Sequence, residues 1–180
     1  MYLPSRMPRV APVIGAVAFE KSNSRQLMHY DHITSDQHLR DFCESIAAAP
    51  IVAFDTEFVS EDSFLPELCL IQLAAAGRLA IVDPLEVRDL SPLWDILTNP
   101  NTETLVHAGR EEFRFIGRYS GKRPARWFDV QIAAGLIGLE YPASYATLSA
   151  KLLGKNISKD ETRTDSVSYT HLTLPTILRV

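Results

Sequence analysis

The tripeptide Asp55-Thr56-Glu57 constrains this chain more than any other stretch. It follows an apolar run, Ile51-Val52-Ala53-Phe54, and precedes Phe58-Val59. The run predicts a buried strand. Side chains in a strand alternate faces, so Asp55 and Glu57 point the same way. Two carboxylates on one face at the end of a buried strand are costly unless a cation sits between them. The plainer alternative is a strand end that turns into solvent. Magnesium and manganese take oxygen ligands, and paired carboxylates supply them. Two such metals are a common device for cutting phosphodiesters.

Composition sets wider bounds. The 180 residues, 46% hydrophobic, suffice for one core-bearing domain. A charged fraction of 22% and a net charge of -4 carry no global sign of nucleic-acid binding. Any such binding must rest on a local patch. Cys43 and Cys69 lie in apolar contexts without metal-ligand spacing. They read as buried thiols in a reducing compartment, with a disulfide as the other option. No apolar run is long enough to span a membrane, and the expected location is cytoplasmic. Arg6, Arg9 and the apolar stretch Val10 to Phe19 imitate a secretory signal, but Pro12 and Gly15 break it. Residues 1–27 are read as a disordered extension, with Met28 a candidate initiator.

Periodicity then predicts the elements. His29 to Ile33 reads as a short edge strand, and Ser35 caps a helix bearing Leu39, Phe42, Cys43 and Ile46. Ile51 to Phe54, Leu68 to Ala74 and Leu79 to Val82 read as strands, with a turn at Gly77-Arg78. Ser91-Pro92 opens a helix, and Thr104 to Val106 is another strand. Helices are predicted from Gly109 to about Tyr119, Phe128 to Leu139 and Tyr145 to Leu153. Strands first, then strands alternating with helices, predict an α/β fold with a mixed sheet.

A third acid follows from helix geometry. In His107-Ala108-Gly109-Arg110-Glu111-Glu112, position 112 shares a face with Phe115, Ile116 and Tyr119. Glu112 therefore points toward the core and needs a partner, whereas Glu111 faces Arg114 and solvent. Acids in a first turn are also ordinary dipole partners. Arg110, Arg114 and Arg118, followed by Lys122, Arg123 and Arg126, form a basic stripe opposed only by Glu111 and Glu112. Such a stripe is either a solvated face or a grip for phosphates beside a metal site. Asp129 is placed to cap the helix near Val130, with a role behind the metal ligands as the weaker option.

Together these stretches resemble the ribonuclease D-type 3′–5′ exonucleases of the DEDD superfamily. The match takes in Val52 to Val59, Leu70-Ile71-Gln72-Leu73, Ile81 to Leu85, His107-Ala108-Gly109, Phe128-Asp129-Val130-Gln131, Leu152-Leu153-Gly154 and Lys159 to Asp165. It covers about residues 28–165. The resemblance implies a ribonuclease-H-like fold and two divalent ions, Mg2+ or Mn2+, held by four acids. It also implies a Tyr or His that orients water, and stepwise removal of nucleotides from RNA 3′ ends, with tRNA precursors the usual substrates. RNA and DNA are not separable from sequence. By position, Asp55 would bridge both ions and Glu57 would hold the nucleophile-side ion. Glu112 stands where the family usually has Asp and would support the second ion. Phe58 falls beside the terminal-base pocket and His107 near the sugar–phosphate path.

The resemblance implies a further Tyr-x-x-x-Asp helix, but no Asp or Glu follows Asp165, and Thr173 stands four residues after Tyr169. Residues 166–180 resemble the spurious tails of conceptual translations. The expectation is a truncated gene model, incomplete at its C-terminus, weakly active or inactive, with apolar surface left uncovered. The alternative is a catalytically dead nucleic-acid-binding module.

Overall fold

The computed structural model describes residues 29–59 and 65–156. The N-terminal extension, the Lys159–Asp165 motif and the tail lie outside the described residues.

Six strands form one mixed sheet: β1 (Asp31–Ile33), β2 (Ile51–Val59), β3 (Glu67–Ala75), β4 (Arg78–Val82), β5 (Glu103–Val106) and β6 (Arg126–Asp129). Their spatial order is β1-β4-β3-β2-β5-β6. The pairs β4–β3 and β3–β2 are antiparallel; β1–β4, β2–β5 and β5–β6 are parallel. The hairpin between β3 and β4 turns on Ala76 and Gly77, both at positive φ (51° and 74°). Two-residue hairpin loops favour that backbone because its twist matches the strands. The turn is thus one residue earlier than predicted. Arg78 instead opens β4 and bonds Asp31 at 2.7 Å, which ties the edge strand β1 to the sheet.

Helices α1 (Asp36–Ile46), α2 (Ser91–Leu97) and α3 (Arg110–Ser120) supply Leu39, Phe42, Ile46, Leu93, Leu97, Phe115 and Ile116 to one core. The sheet answers with Val52, Phe54, Ile71, Leu73, Ala80 and Val82. Phe54 meets Trp94 edge-on at 6.3 Å. Helices α4 (Val130–Leu136) and α5 (Tyr145–Leu153) form a separate small cluster through Ala134, Ala143 and Leu148, and leave Leu136, Ile137, Leu152 and Leu153 exposed. Cys43 and Cys69 are buried free thiols, and burial pushes the Cys43 thiol up to about 12, which makes it inert. No helix among the described residues is long and apolar enough to cross a membrane.

Two predicted boundaries fail for one reason. The helix expected from Phe128 starts at Val130, because Arg126–Asp129 pair with Glu103–Val106 as an edge strand. The strand expected to stop at Phe54 runs on to Val59, because β3 pairs with it throughout. Strand pairing is non-local and leaves little trace in short windows of sequence.

Candidate active site

Along β2, Val52, Phe54 and Thr56 face the core, which leaves Asp55 and Glu57 on the other face. The strand is not buried on both sides, since Ile51 is exposed. Asp55 stands opposite Gln72 and Glu57 opposite Leu70 on β3. The register then slips: Phe58 pairs with Leu68, so Cys69 is the extra residue of a bulge. Bulges bend a strand locally and re-aim its side chains.

Glu112 arrives from β5 through a turn of Ala108 (φ 55°) and Gly109 into the first turn of α3. It is 6% exposed and accepts a hydrogen bond from Thr56 Oγ1 at 2.6 Å. Glu111 instead accepts from Arg114 Nη1 at 2.8 Å. The helix thus splits two adjacent acids between core and solvent, as their spacing predicts. Burial, then the charges of Glu112 and Glu57, push Asp55 up to about 7. Burial also raises Glu112, partly offset by its bonds to Thr56. Among the described residues no ion pair joins Asp55 or Glu112 to a cation.

This donor set suits a hard divalent cation: carboxylate oxygens that repel one another and hold protons too tightly for lack of a counter-charge. The geometry is not yet that of a closed site. Among the described residues, no three acidic, His or Cys groups converge to hold an ion. Asp55 and Glu57 share a face, and Glu112, held by Thr56 through Oε1, lies close enough for its charge to raise Asp55.

Asp129 caps α4, accepting from Gln131 N at 2.9 Å. It also accepts from Ala108 N at 3.0 Å and Gly109 N at 2.9 Å. One carboxylate therefore fastens the turn that delivers Glu112. His107 follows β5 directly; its Nε2 lies 3.0 Å from the Ala143 carbonyl, and a carbonyl only accepts, so Nε2 carries the proton. Phe58 is half-buried and packed against the core, edge-on to Phe115 at 5.5 Å.

The basic stripe is corrected by the fold. Lys122 pairs with Asp95 at 3.1 Å and Arg126 with Glu103 at 3.5 Å, partners from other elements that sequence windows do not reveal. Arg118 is spent on the Pro66 carbonyl at 2.9 Å. Of the rest, Arg123 is exposed, while Arg110 and the Glu111-paired Arg114 line a groove of about 550 Å³ with Phe113, Trp127, Ile132 and Tyr141. The three acids do not line that groove.

Residues 30–176 match the family model described as 3′–5′ exonuclease. The chain belongs to the 3′–5′ exonuclease family. Its curated relatives include ribonuclease D of Escherichia coli (strain K12), 38% identical over 138 residues, covering 77% of this chain and 37% of the relative. The crystal structure of Escherichia coli RNase D superposes with a TM-score of 0.74 at 36% identity, over 81% of this chain and 39% of that one. The Trypanosoma brucei RNase D complex with RNA U12 shares the fold, with a TM-score of 0.65 at 14% identity, over 74% of this chain and 50% of that one. The chain spans a little over a third of the length of the curated relatives it matches. The ribonuclease D-type resemblance and the mixed, helix-flanked sheet both stand.

Two residues beside the acids of this exonuclease domain drew no role from sequence. Gln72 is fully buried opposite Asp55. Its signal was present, a polar residue amid Leu70, Ile71 and Leu73. Tyr145, in the first turn of α5, sits edge-on to His107 at 5.9 Å. Its hydroxyl is raised by burial and, to a smaller extent, by the charge of Asp55. An aromatic at a helix start carries no signal of that neighbour, which only the packing of α5 supplies.

Proposed function

We propose that this site removes nucleotides from RNA 3′ ends by phosphodiester hydrolysis assisted by two divalent ions. The observation that carries the reading is the half-buried Asp55, on the face of β2 turned from the core with Glu57 and close enough to Glu112 for both charges to raise it. Asp55, Glu57 and Glu112 would hold the ions. When bound, such ions lower the pKa of an attacking water and stabilise charge on the leaving oxygen. Asp129 fixes the turn that carries Glu112, and the exposed Arg110 and half-paired Arg114 are placed for flanking phosphates. That a ribonuclease D of the same fold is seen with RNA supports the choice of polymer.

The test is a 5′-labelled single-stranded RNA incubated with the chain in Mg2+, in Mn2+ and in chelator. A ladder shortening one nucleotide at a time from the 3′ end, only with metal, is the expected result. The hydrogen bond from Thr56 to Glu112 favours a second reading, a nucleic-acid-binding module in which that acid is structural. RNA retained intact under all three conditions would establish that reading instead.

Binding should also depend on the two arginines that line the groove. Arg110→Ala with Arg114→Ala is expected to weaken RNA binding evenly across sequences. Two lost phosphate contacts should lower the slope of log affinity against log salt by about 1.4, at about 0.7 per contact on a single strand. Filter binding over a salt series measures it; an unchanged slope would place the RNA elsewhere.

A further inference from the structure

Gln72 is 1% exposed, and neither its Nε2 nor its Oε1 has a hydrogen-bond partner among the described residues. An unsatisfied buried amide destabilises a fold, and a Met or Leu would fill the same space without that cost. Nothing in the sheet repays it: on β4 Gln72 faces Ile81, which clusters with Leu70 and Leu79. On its other side it stands directly opposite Asp55. Opposed residues of an antiparallel pair share a face with Cβ atoms about 4.5–5.5 Å apart. A glutamine amide at that distance reaches an aspartate carboxylate.

We infer that Gln72 is the positioning residue for Asp55. Its Nε2 donates to the carboxylate oxygen turned away from a bound cation and fixes the carboxylate's orientation. This rests on the reading of Asp55 as a cation ligand. Ligating carboxylates are commonly held by such hydrogen bonds, and losing one typically costs about 10–100-fold in metal affinity. The inference explains a polar residue in the middle of an apolar strand.

The test uses the full chain and Mn2+ alone, with uptake read from the loss of the free-ion electron paramagnetic resonance signal. Thermal melting in chelator runs alongside, for the natural sequence, Gln72→Met, Gln72→Leu and Asp55→Asn. Both Gln72 variants are expected to melt at or above the natural chain, while their Mn2+ midpoints rise about 10-fold or more. Asp55→Asn should lose uptake. If Asp55→Asn loses uptake while both Gln72 variants keep the natural midpoint, the role of Gln72 is overturned and the metal reading stands. A lowered melting temperature with an unchanged midpoint would likewise show a merely structural glutamine. If the folded natural chain takes up no Mn2+, both readings fall.

Discussion

Asp55→Asn is expected to abolish hydrolysis and to stabilise the metal-free fold at pH 8. The loss of activity should exceed about 100-fold, since disturbing even the groups behind a metal ligand costs about 10–100-fold. The gain in stability follows from linkage. The carboxyl of Asp55 is pushed up to about 7 in the fold from its ordinary value of 3.8. The folded state therefore holds this proton more tightly than the unfolded chain. The stability associated with it is fully present below about pH 4 and is lost as pH rises through 7. At 1.36 kcal/mol per pKa unit, the penalty above pH 7 is at most about 4 kcal/mol. Asparagine cannot ionise and escapes it. Urea midpoints in chelator should show Asp55→Asn more stable at pH 8, with the difference closing toward pH 4. A variant less stable than the natural chain at pH 8 would show that Asp55 is compensated in solution and carries a structural role.

Gly109→Ala is expected to lower both stability and activity. The backbone at Gly109 is ordinary for any residue (φ -76°), so the effect is one of space alone. A methyl there would run into Val106 Cγ2, and would lie 2.7 Å from Val106 Cβ and 2.8 Å from Trp127 Cζ2. Val106 Cβ is one bond from the backbone of β5 and cannot swing away, so the turn itself must shift. The turn carries both backbone N–H groups held by Asp129 and leads directly to Glu112. Overpacking of this kind costs about 1–3 kcal/mol or somewhat more. For a domain of this size about 3 kcal/mol is a fall of about 6–12 °C in melting temperature. Melting within a degree of the natural chain would mean that the turn has slack that the structure does not show.

Much of this was legible in the sequence because it is written in short range. Alternation along β2 places Asp55 and Glu57 on one face whatever else the chain does. The spacing of Phe115 and Ile116 turns Glu112 inward and leaves Glu111 to Arg114. Ser35, Gly77 and Pro92 announce a cap, a turn and a helix start by local chemistry. What failed is what depends on distant neighbours. Strand β6 exists because Glu103–Val106 offer it a parallel partner, and β2 outruns its apolar stretch because β3 follows it past the acids. The basic stripe lost members to Asp95, Glu103 and the Pro66 carbonyl.

Which side chains carry charge, which way they point from their own strand or helix, and which family they resemble are all legible in the residues. How strongly those charges act depends on the packed fold. The partial burial of Asp55, the hold of Thr56 on Glu112, and the approach of Tyr145 and Gln72 come from elements far apart in the chain packed into one low-dielectric place. Direction is set by local backbone geometry, which a sequence encodes within a few residues. Electrostatic cost is set by what excludes water, which it encodes only through the whole fold.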